Sequence, residues 1–422
     1  MKQLSLPRLL ALSSFAFATT LVANTIDPAV FGHKVLQLAP DNPNTLLGFS
    51  TFAASMLGVV LGPIAGAWSD RSHSRLGPRM PFFLAGVPVL IIALLTIALA
   101  PSITIFVLGV LLFRLGDNLI FPPWQALYPD HVPASQRGVG AGVRSFMDIA
   151  AVLVGRFASG ELLALSPTLG ERATLLAVGI PIIGLLAALF FTRHVLNELP
   201  NGNEKAAIPR PSLASIFQID WRQNKAFTWW FINRSFFWIS FTILGTFLLF
   251  FIIDVIGLVE SDAQRFLARF SLVLGGSVLL IALPSGRMAD RWGRKPLVLA
   301  ACAMTTVGTI LIVLFRDLNA MTYAGALIGF GSGIFISADF ALLTDIVPND
   351  EAGRYLGISG IASAGGGAIA RLLGGSLIDP INKSTGSSAT GYIVLYSLAA
   401  LLFFFSLLAA LRLPNEKVKS RV

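Results

Sequence analysis

Oppositely charged residues stand close together inside long apolar runs of this sequence. Arg114 and Asp117 are three positions apart, so on a helix they share one face, and Asn118 lies beside them. A carboxylate kept ionised by a neighbouring arginine can take up a proton when the two separate, which is the chemistry of proton coupling. A pair that only neutralises itself in an apolar bundle has the same spacing. Both roles stay open at this point.

Arg144 and Asp148 form a second such pair, four positions apart. Arg144 is predicted to lie only a turn or two inside the membrane boundary. We expect a structural or gating role for this pair, with cation coupling as the alternative.

Several further polar and aromatic residues could contact a solute. Arg234 is preceded by Asn233 and followed by Trp238, which combines hydrogen-bond donors with an aromatic face, as a sugar or carboxylate site would. Asp339, which follows the glycine run at 329–333, is one more candidate. The glycines themselves suit either flexibility or close packing. The predicted substrate-binding residues are Asn118, Trp124, Asn233, Arg234, Trp238 and Asp339. Trp229 and Trp230, at the end of an apolar run, are expected to be membrane-interface anchors.

Other chemistries find no support in the sequence. The single cysteine, Cys302, excludes a disulfide framework, and the four histidines lack metal-ligand spacing. There is no Walker-type loop and no nucleophile elbow, so we expect neither an ATP-driven pump nor an enzyme, and no cofactor or metal. The net charge of +9 comes from short loops between apolar runs, which argues against nucleic-acid binding.

Composition indicates which elements must position these residues. The chain has 422 residues, of which 55% are hydrophobic and 13% charged, and its mean hydropathy is +0.76. A membrane-spanning helix needs about 20 apolar residues. The sequence therefore predicts an all-α membrane protein with spans near 9–30, 45–67, 82–100, 103–127, 139–163, 173–192, 227–253, 266–286, 297–315, 319–343, 355–379 and 391–411.

The spans divide into two sets of six. We expect an N-terminal six-helix bundle at 1–192, a cytoplasmic linker at 193–226, a C-terminal six-helix bundle at 227–412 and a cytoplasmic tail at 413–422. The first apolar run could also be a cleaved signal peptide, but cleavage would leave eleven spans and break the repeat described next. A retained first helix is the better interpretation.

Basic residues indicate the orientation. Lysine and arginine concentrate in the loops on the side of both termini, for example Arg71, Arg79 and Lys295, and few lie on the other side. Because cytoplasmic loops are enriched in basic residues, the sequence predicts a multi-pass protein of the inner (plasma) membrane with both termini in the cytoplasm.

An internal repeat relates the two sets of spans. Asp130 recurs as Asp345 and Arg156 as Arg371, each displaced by 215 positions, and Val132-Pro133 recurs as Val347-Pro348 at the same offset. With an even number of helices in each half, the halves keep the same membrane orientation. A parallel repeat of this kind places the substrate site between its halves.

One loop carries a family resemblance. The segment 286–295, GRMADRWGRK, resembles the signature loop of the major facilitator superfamily, and 66–86, GAWSDRSHSRLGPRMPFFLAG, is similar to its longer form in glycoside-pentoside-hexuronide:cation and sucrose:proton symporters. The resemblance implies a cytoplasmic gate that holds the halves closed through salt bridges and helix-terminus contacts. Its residues would be Gly66, Asp70, Arg71, Arg79, Gly286, Asp290, Arg291 and Arg294. Arg114 falls where sucrose symporters resemble one another in having an acid, so their proton site does not carry over.

Three functions follow as hypotheses. The first is symport of a sugar-like or uronide solute coupled to a proton or sodium ion through Asp117 and its neighbours. The second is proton-coupled efflux of amphipathic or anionic compounds, favoured by intramembrane arginines. The third is a transporter-like assembly or sensing factor. For a transporter, the expected partners are a small-molecule substrate and the lipid bilayer, and a single chain, as a monomer, can hold the whole site.

Overall fold

The computed structural model describes residues 3–72, 74, 76–133, 136–198, 221, 224–347 and 352–414. Helices fill these ranges and no strand occurs within them. The helices are α1 Leu6–Leu12, α2 Ser14–Thr25, α3 Phe31–Leu38, α4 Pro43–Arg71, α5 Met80–Ala98, α6 Ile103–His131, α7 Arg137–Leu163, α8 Ser166–Leu169, α9 Glu171–Glu198, α10 Lys225–Thr246, α11 Leu248–Phe251, α12 Glu260–Trp292, α13 Arg294–Phe315, α14 Leu318–Ile346, α15 Ala352–Thr385 and α16 Thr390–Leu411.

Most of the long helices have the length and the apolar composition of membrane-spanning segments. Among the described residues, 10 helices are long and apolar enough to span it, and the count rises to 12 if each of two bent pairs forms one span. These pairs are Leu6–Leu12 with Ser14–Leu38, and Lys225–Thr246 with Leu248–Ile256. The predicted all-helical membrane fold is confirmed, and each predicted span overlaps a helix or a bent pair.

The described residues fall into two compact units. Unit 1 lies within Met1–Ala206 and Val259–Ala268, and unit 2 within Ala207–Leu258 and Arg269–Val422. In unit 1, α2 packs against α7 and α9, and α5 against α6; in unit 2, α10 packs against α15 and α16, and α13 against α14. The two packing schemes are equivalent, as the sequence repeat requires. Most of the predicted linker and tail lies outside the described residues.

The first span of each unit is bent. In unit 1, the π-helical segment Ile26–Val30 joins α2 to α3, and Asp27 within it has an extended backbone with φ −107° and ψ 120°. In unit 2, α10 and α11 meet at Phe247 with a bend of 56°. The carbonyl oxygen of Leu244, one turn before that break, accepts a hydrogen bond of 3.2 Å from the buried Tyr396 hydroxyl of α16. This contact satisfies a backbone group near the break.

The glycine run at 329–333 serves close packing. A Cβ at Gly331 would lie 2.9 Å from the carbonyl oxygen of Ala301 in α13, and one at Gly333 would lie 2.9 Å from that of Val278 in α12. Neither position has room for a side chain, because the neighbouring backbones approach too closely. Of the two roles open from the sequence, the structure places these glycines in helix packing.

Candidate functional site

The Arg114–Asp117 pair is formed on α6. Arg114 Nη1 lies 3.3 Å from Asp117 Oδ2, and the two side chains are 27% and 22% exposed. Asn118 Nδ2 donates to the Arg114 carbonyl oxygen at 2.8 Å. Opposite, on α4, a Cβ at Gly58 would lie 2.9 Å from Arg114 Cδ, and one at Gly62 would lie 3.0 Å from Asn118 Oδ1. Two glycines thus provide the space that these polar side chains occupy.

The Arg144–Asp148 pair connects three helices of unit 1. Arg144 Nε lies 3.6 Å from Asp148 Oδ2, and Thr20 of α2 donates to Asp148 Oδ1 at 2.8 Å. The Arg144 guanidinium also sits 4.7 Å from the centre of the Trp124 ring on α6, a cation–π contact. Trp124 is fully buried and its indole nitrogen donates to the Leu12 carbonyl oxygen at 2.8 Å. A solute would therefore reach this ring face only after Arg144 moves.

Two predicted residues that are far apart in sequence meet in unit 2. Arg234 of α10 forms an ion pair with Asp339 of α14, whose side chain is only 1% exposed against 18% for Arg234. The Trp230 indole nitrogen donates to the Asp339 carbonyl oxygen at 3.2 Å, and the Arg234 guanidinium lies 5.3 Å from the Trp230 ring centre. The carboxylate, the guanidinium and the indole therefore form one buried group between α10 and α14.

The expected role of Trp230 as an interface anchor is wrong. Its side chain is fully buried and shares contacts with both Arg234 and Asp339. Trp230 and Arg234 are four positions apart, so they lie on one face of the helix. This spacing is the feature of the sequence from which the contact between the two side chains could have been predicted.

Some polar atoms of this buried group have no hydrogen-bond partner among the described residues. They are Arg234 Nε, Asp339 Oδ1 and, one turn further along α10, Trp238 Nε1. Buried polar atoms are usually paired, so unpaired ones call for a physical explanation. Trp238 is half-buried, unlike the fully buried Trp230. A polar solute that entered this region would find two unpaired donors and one unpaired acceptor.

Asn233 lies elsewhere, in the packing between α10 and α16. It is fully buried, and its amide nitrogen donates at 2.8 Å to both the carbonyl and the hydroxyl oxygen of Ser406. Since its donors are engaged in holding two helices together, we leave Asn233 out of the proposed solute contacts.

The predicted gate residues Arg79 and Arg294 occupy equivalent positions. Arg79 Nη2 lies 3.3 Å from Asp130 Oδ2 and its Nη1 donates to Ser69 Oγ at 2.6 Å. Arg294 forms an ion pair with Asp345 and also donates to the Ala341 carbonyl oxygen. The residues of the second ion pair follow those of the first by 215 positions, the offset of the sequence repeat. Each bridge lies inside its own unit.

The remaining predicted gate residues lie in the last two turns of α4 and α12. The side chains of Arg71 and Arg291 are exposed, and those of Asp70 and Asp290 lie outside the described part of the structure. A Cβ at Gly66 would lie 3.7 Å from Pro122, and one at Gly286 would meet nothing within 4 Å. A gating role for these residues stays a prediction.

Known proteins resemble this chain in both sequence and fold. A family model described as MFS/sugar transport protein matches residues 15–413. An uncharacterized MFS-type transporter of Mycobacterium tuberculosis is 30% identical over 119 residues, which cover 28% of this chain and 17% of that protein. The efflux pump azaK of Aspergillus niger is 27% identical over 129 residues, covering 31% of this chain and 27% of the pump. The chain therefore spans well under two thirds of the length of these relatives.

The fold itself is shared over almost the whole chain. A single-residue variant of the nucleoside transporter NupG superposes with a TM-score of 0.71 and 13% identity, covering 96% of this chain and 99% of NupG. At that identity the likeness concerns the fold alone.

Proposed function

This chain belongs to the major facilitator superfamily of membrane transporters, within the MFS/sugar transport protein family, and we propose that it imports a small polar solute by cation-coupled symport. The solute class is a sugar or a uronide, and the coupling ion is a proton or sodium. Transport proceeds by alternating access, with one half of the chain rocking against the other. The family consists of transporters and not enzymes, and the proposed activity needs no cofactor beyond the coupling ion.

The observation that carries the solute class is the set of unpaired buried atoms around Arg234. Its Nε, the Trp238 indole nitrogen and Asp339 Oδ1 supply two donors and one acceptor. A solute with several hydroxyl groups offers partners to all three, and the Trp238 ring offers an apolar face to a sugar ring. A uronide adds a carboxylate, for which the arginine fork is the matching group.

The coupling proposal rests on the pair in unit 1. Asp117 is 22% exposed and Arg114 27%, whereas Asp339 is only 1% exposed, so the pair in unit 1 is less deeply buried than Asp339. Protonation of Asp117 would remove its electrostatic attraction to Arg114. The loss of this attraction changes the relative free energies of the conformations that the N-terminal half adopts in the transport cycle. Arg144 and Asp148 are the second candidate pair, since their side chains are 35% and 34% exposed.

The orientation of the chain in the membrane, with both termini in the cytoplasm, belongs to the same proposal. Basic residues such as Arg79, Arg294 and Lys295 stand at helix ends on the side of both termini, which supports cytoplasmic termini and an inner-membrane location. Nothing in the proposed transport cycle requires more than one copy of the chain.

The test is uptake into proteoliposomes. A panel of labelled monosaccharides, disaccharides, uronides and organic acids is offered with and without imposed proton and sodium gradients. We expect one sugar or uronide class to accumulate only when a gradient is present. Uptake of an organic acid instead, or accumulation that no ion gradient stimulates, would refute the proposed solute class or the coupling, respectively.

Two variants separate binding from coupling. Asp117→Asn should abolish gradient-driven accumulation and leave counterflow intact, because the fold and the solute contacts remain. Trp238→Phe keeps a ring and removes one donor, and the loss of one hydrogen bond should raise KM by about three- to tenfold. Trp229→Phe is its matched control, because the Trp229 ring lies under Arg412, just after α16, and is not one of the proposed contacts.

Efflux is the second candidate function, and one finding favours it specifically. The sequence matches azaK, a protein named as an efflux pump, over about a third of this chain. In that case expression should protect cells from amphipathic or anionic compounds, and inverted vesicles should accumulate such compounds when their interior is acidified. Symport predicts neither result.

A further inference from the structure

The beginning of α12 belongs to unit 1, whereas the rest of that helix belongs to unit 2. Glu260, Gln264 and Ala268 are spaced by four, so they form one stripe on the helix. Because one continuous helix contributes residues to both units, the rocking movement of the proposed transport cycle, on which this inference rests, would act on these first turns. The contacts that hold the stripe within unit 1 are therefore placed to affect the transport cycle.

Three contacts hold the stripe to α3, to the segment that leads into it and to α7. His33 Nδ1 lies 2.5 Å from Glu260 Oε1, and Gln264 donates to the Ala29 carbonyl oxygen at 3.3 Å. A Cβ at Gly160 of α7 would lie 2.7 Å from the Ala268 Cβ, so the two helices leave no room for a side chain at Gly160. We call the set of His33, Ala29, Gly160 and the stripe the clasp.

His33 is the part of the clasp whose charge can change. Its side chain is 4% exposed, and that of Glu260 is 30% exposed. On the other side of the ring, Gln37 Nε2 lies 2.9 Å from His33 Nε2. A neutral imidazole fits this arrangement, with Nδ1–H donating to Glu260 and Nε2 accepting from Gln37. A doubly protonated ring also fits once the Gln37 amide turns its oxygen toward Nε2.

The surroundings of His33 contain acidic groups and one lysine. A cavity of about 420 Å³ is lined by His33, Gln37, Glu260, Ser261 and the first residue of α9, Glu171. Lys34, beside His33 on α3, interacts electrostatically with Glu171. The carboxylate in direct contact with the imidazole is thus Glu260, and the nearest lysine is already balanced by a second carboxylate.

From this geometry we propose that His33 and Glu260 make the clasp pH-responsive, so that it holds the first turns of α12 in unit 1 more tightly at acid than at neutral pH. Imidazole changes its charge between about pH 5 and pH 8. Before protonation only the Glu260 carboxylate is charged, whereas after protonation both partners are charged, so the hydrogen bond becomes an ion pair and is stronger. The contacts of the clasp then break less often. Any step of the transport cycle that separates α12 from α3 and α7 therefore becomes slower.

The test measures opening of the clasp without any solute. Cys302, the chain's only cysteine, is buried, so an introduced thiol can be labelled selectively. Ser261→Cys places a thiol at the half-buried wall of the cavity, and Asp262→Cys places one at an exposed neighbour. The ratio of their maleimide labelling rates in purified protein cancels the effect of pH on the thiol itself. The ratio is measured in the wild-type and His33→Gln backgrounds.

We expect the Ser261→Cys to Asp262→Cys rate ratio to fall about fivefold from pH 8 to pH 5.5 in the wild-type background, a typical coupling between two sites. It should stay flat with His33→Gln and with Glu260→Gln, which both keep a hydrogen-bonding amide. A flat ratio in the wild-type background, or an equal fall in all three, would overturn the proposal. Because no solute is present, this outcome is independent of the uptake result.

Discussion

Removal of the Asp339 charge should destabilise the protein far more than removal of the Asp117 charge. Asp339→Asn keeps the size of the side chain and leaves Arg234 without its counter-ion. The Asp339 side chain is 1% exposed and Arg234 18%, so the arginine charge would remain buried and unpaired. Breaking a buried ion pair in this way costs about 3–5 kcal/mol.

The matched comparison is Asp117→Asn. Arg114 is 27% exposed, against 18% for Arg234, and its pair lies within one helix, so the charge left behind is less deeply buried than in Asp339→Asn. Such a pair contributes at most about 1 kcal/mol to the free energy of unfolding. The difference between the two variants should therefore be about 2–5 kcal/mol, and Asp339→Asn should be the less stable.

The assay is reversible unfolding of the purified protein in mixed micelles, followed by tryptophan fluorescence. A third protein, Arg234→Met with Asp339→Leu, removes both charges together and should recover most of the lost stability. The reasoning is refuted if Asp339→Asn is no less stable than Asp117→Asn. It is also refuted if the double variant is as unstable as Asp339→Asn alone, because the unpaired arginine would then not be the cause.

Two further predictions use the same unfolding assay. In Gly116→Ala the new Cβ would lie 2.9 Å from the Leu90 backbone nitrogen, which should lower the free energy of unfolding by about 1–3 kcal/mol. The control is Gly179→Ala, where a Cβ would meet nothing within 4 Å and should cost no stability. Equal stabilities of the two variants would contradict this prediction. Burial lowers the pKa of the His131 imidazole, at the loop end of α6, so the unfolded chain binds a proton more readily than the folded one. The free energy of unfolding should therefore fall as the pH drops below about 6.5. His131→Gln should weaken this dependence on pH. The prediction is wrong if the variant and the wild-type protein lose stability equally with falling pH.

The membrane fold could be predicted from the sequence because it depends on one strong signal. An apolar run of about 20 residues has few alternatives to a spanning helix. The repeat was also readable, since Asp130 and Asp345 keep a constant offset. The structure adds that Arg79 and Arg294 pair with these two aspartates in equivalent ways.

The candidate site was only partly predictable. Arg114 and Asp117 were recognisable because local spacing places them on one helix face. The partner of Arg234 was not, since Asp339 stands 105 positions away and only tertiary packing brings the two together. The contacts of Asn233 and Trp230 were not predictable, for a related reason. Their environment is set by α16 and α14, and a single sequence does not show which face of α10 those helices cover.

The bend between α10 and α11 also has a consequence for how the chain is made. The carbonyl oxygen that Tyr396 satisfies belongs to Leu244, 152 residues earlier in the chain. At ordinary rates of synthesis, of about 5–20 residues per second, Leu244 leaves the ribosome roughly 8–30 s before its partner. During that time the seventh span sits in the membrane without the contact near its break. The hydrogen bond near its break therefore forms only after α16 has been made.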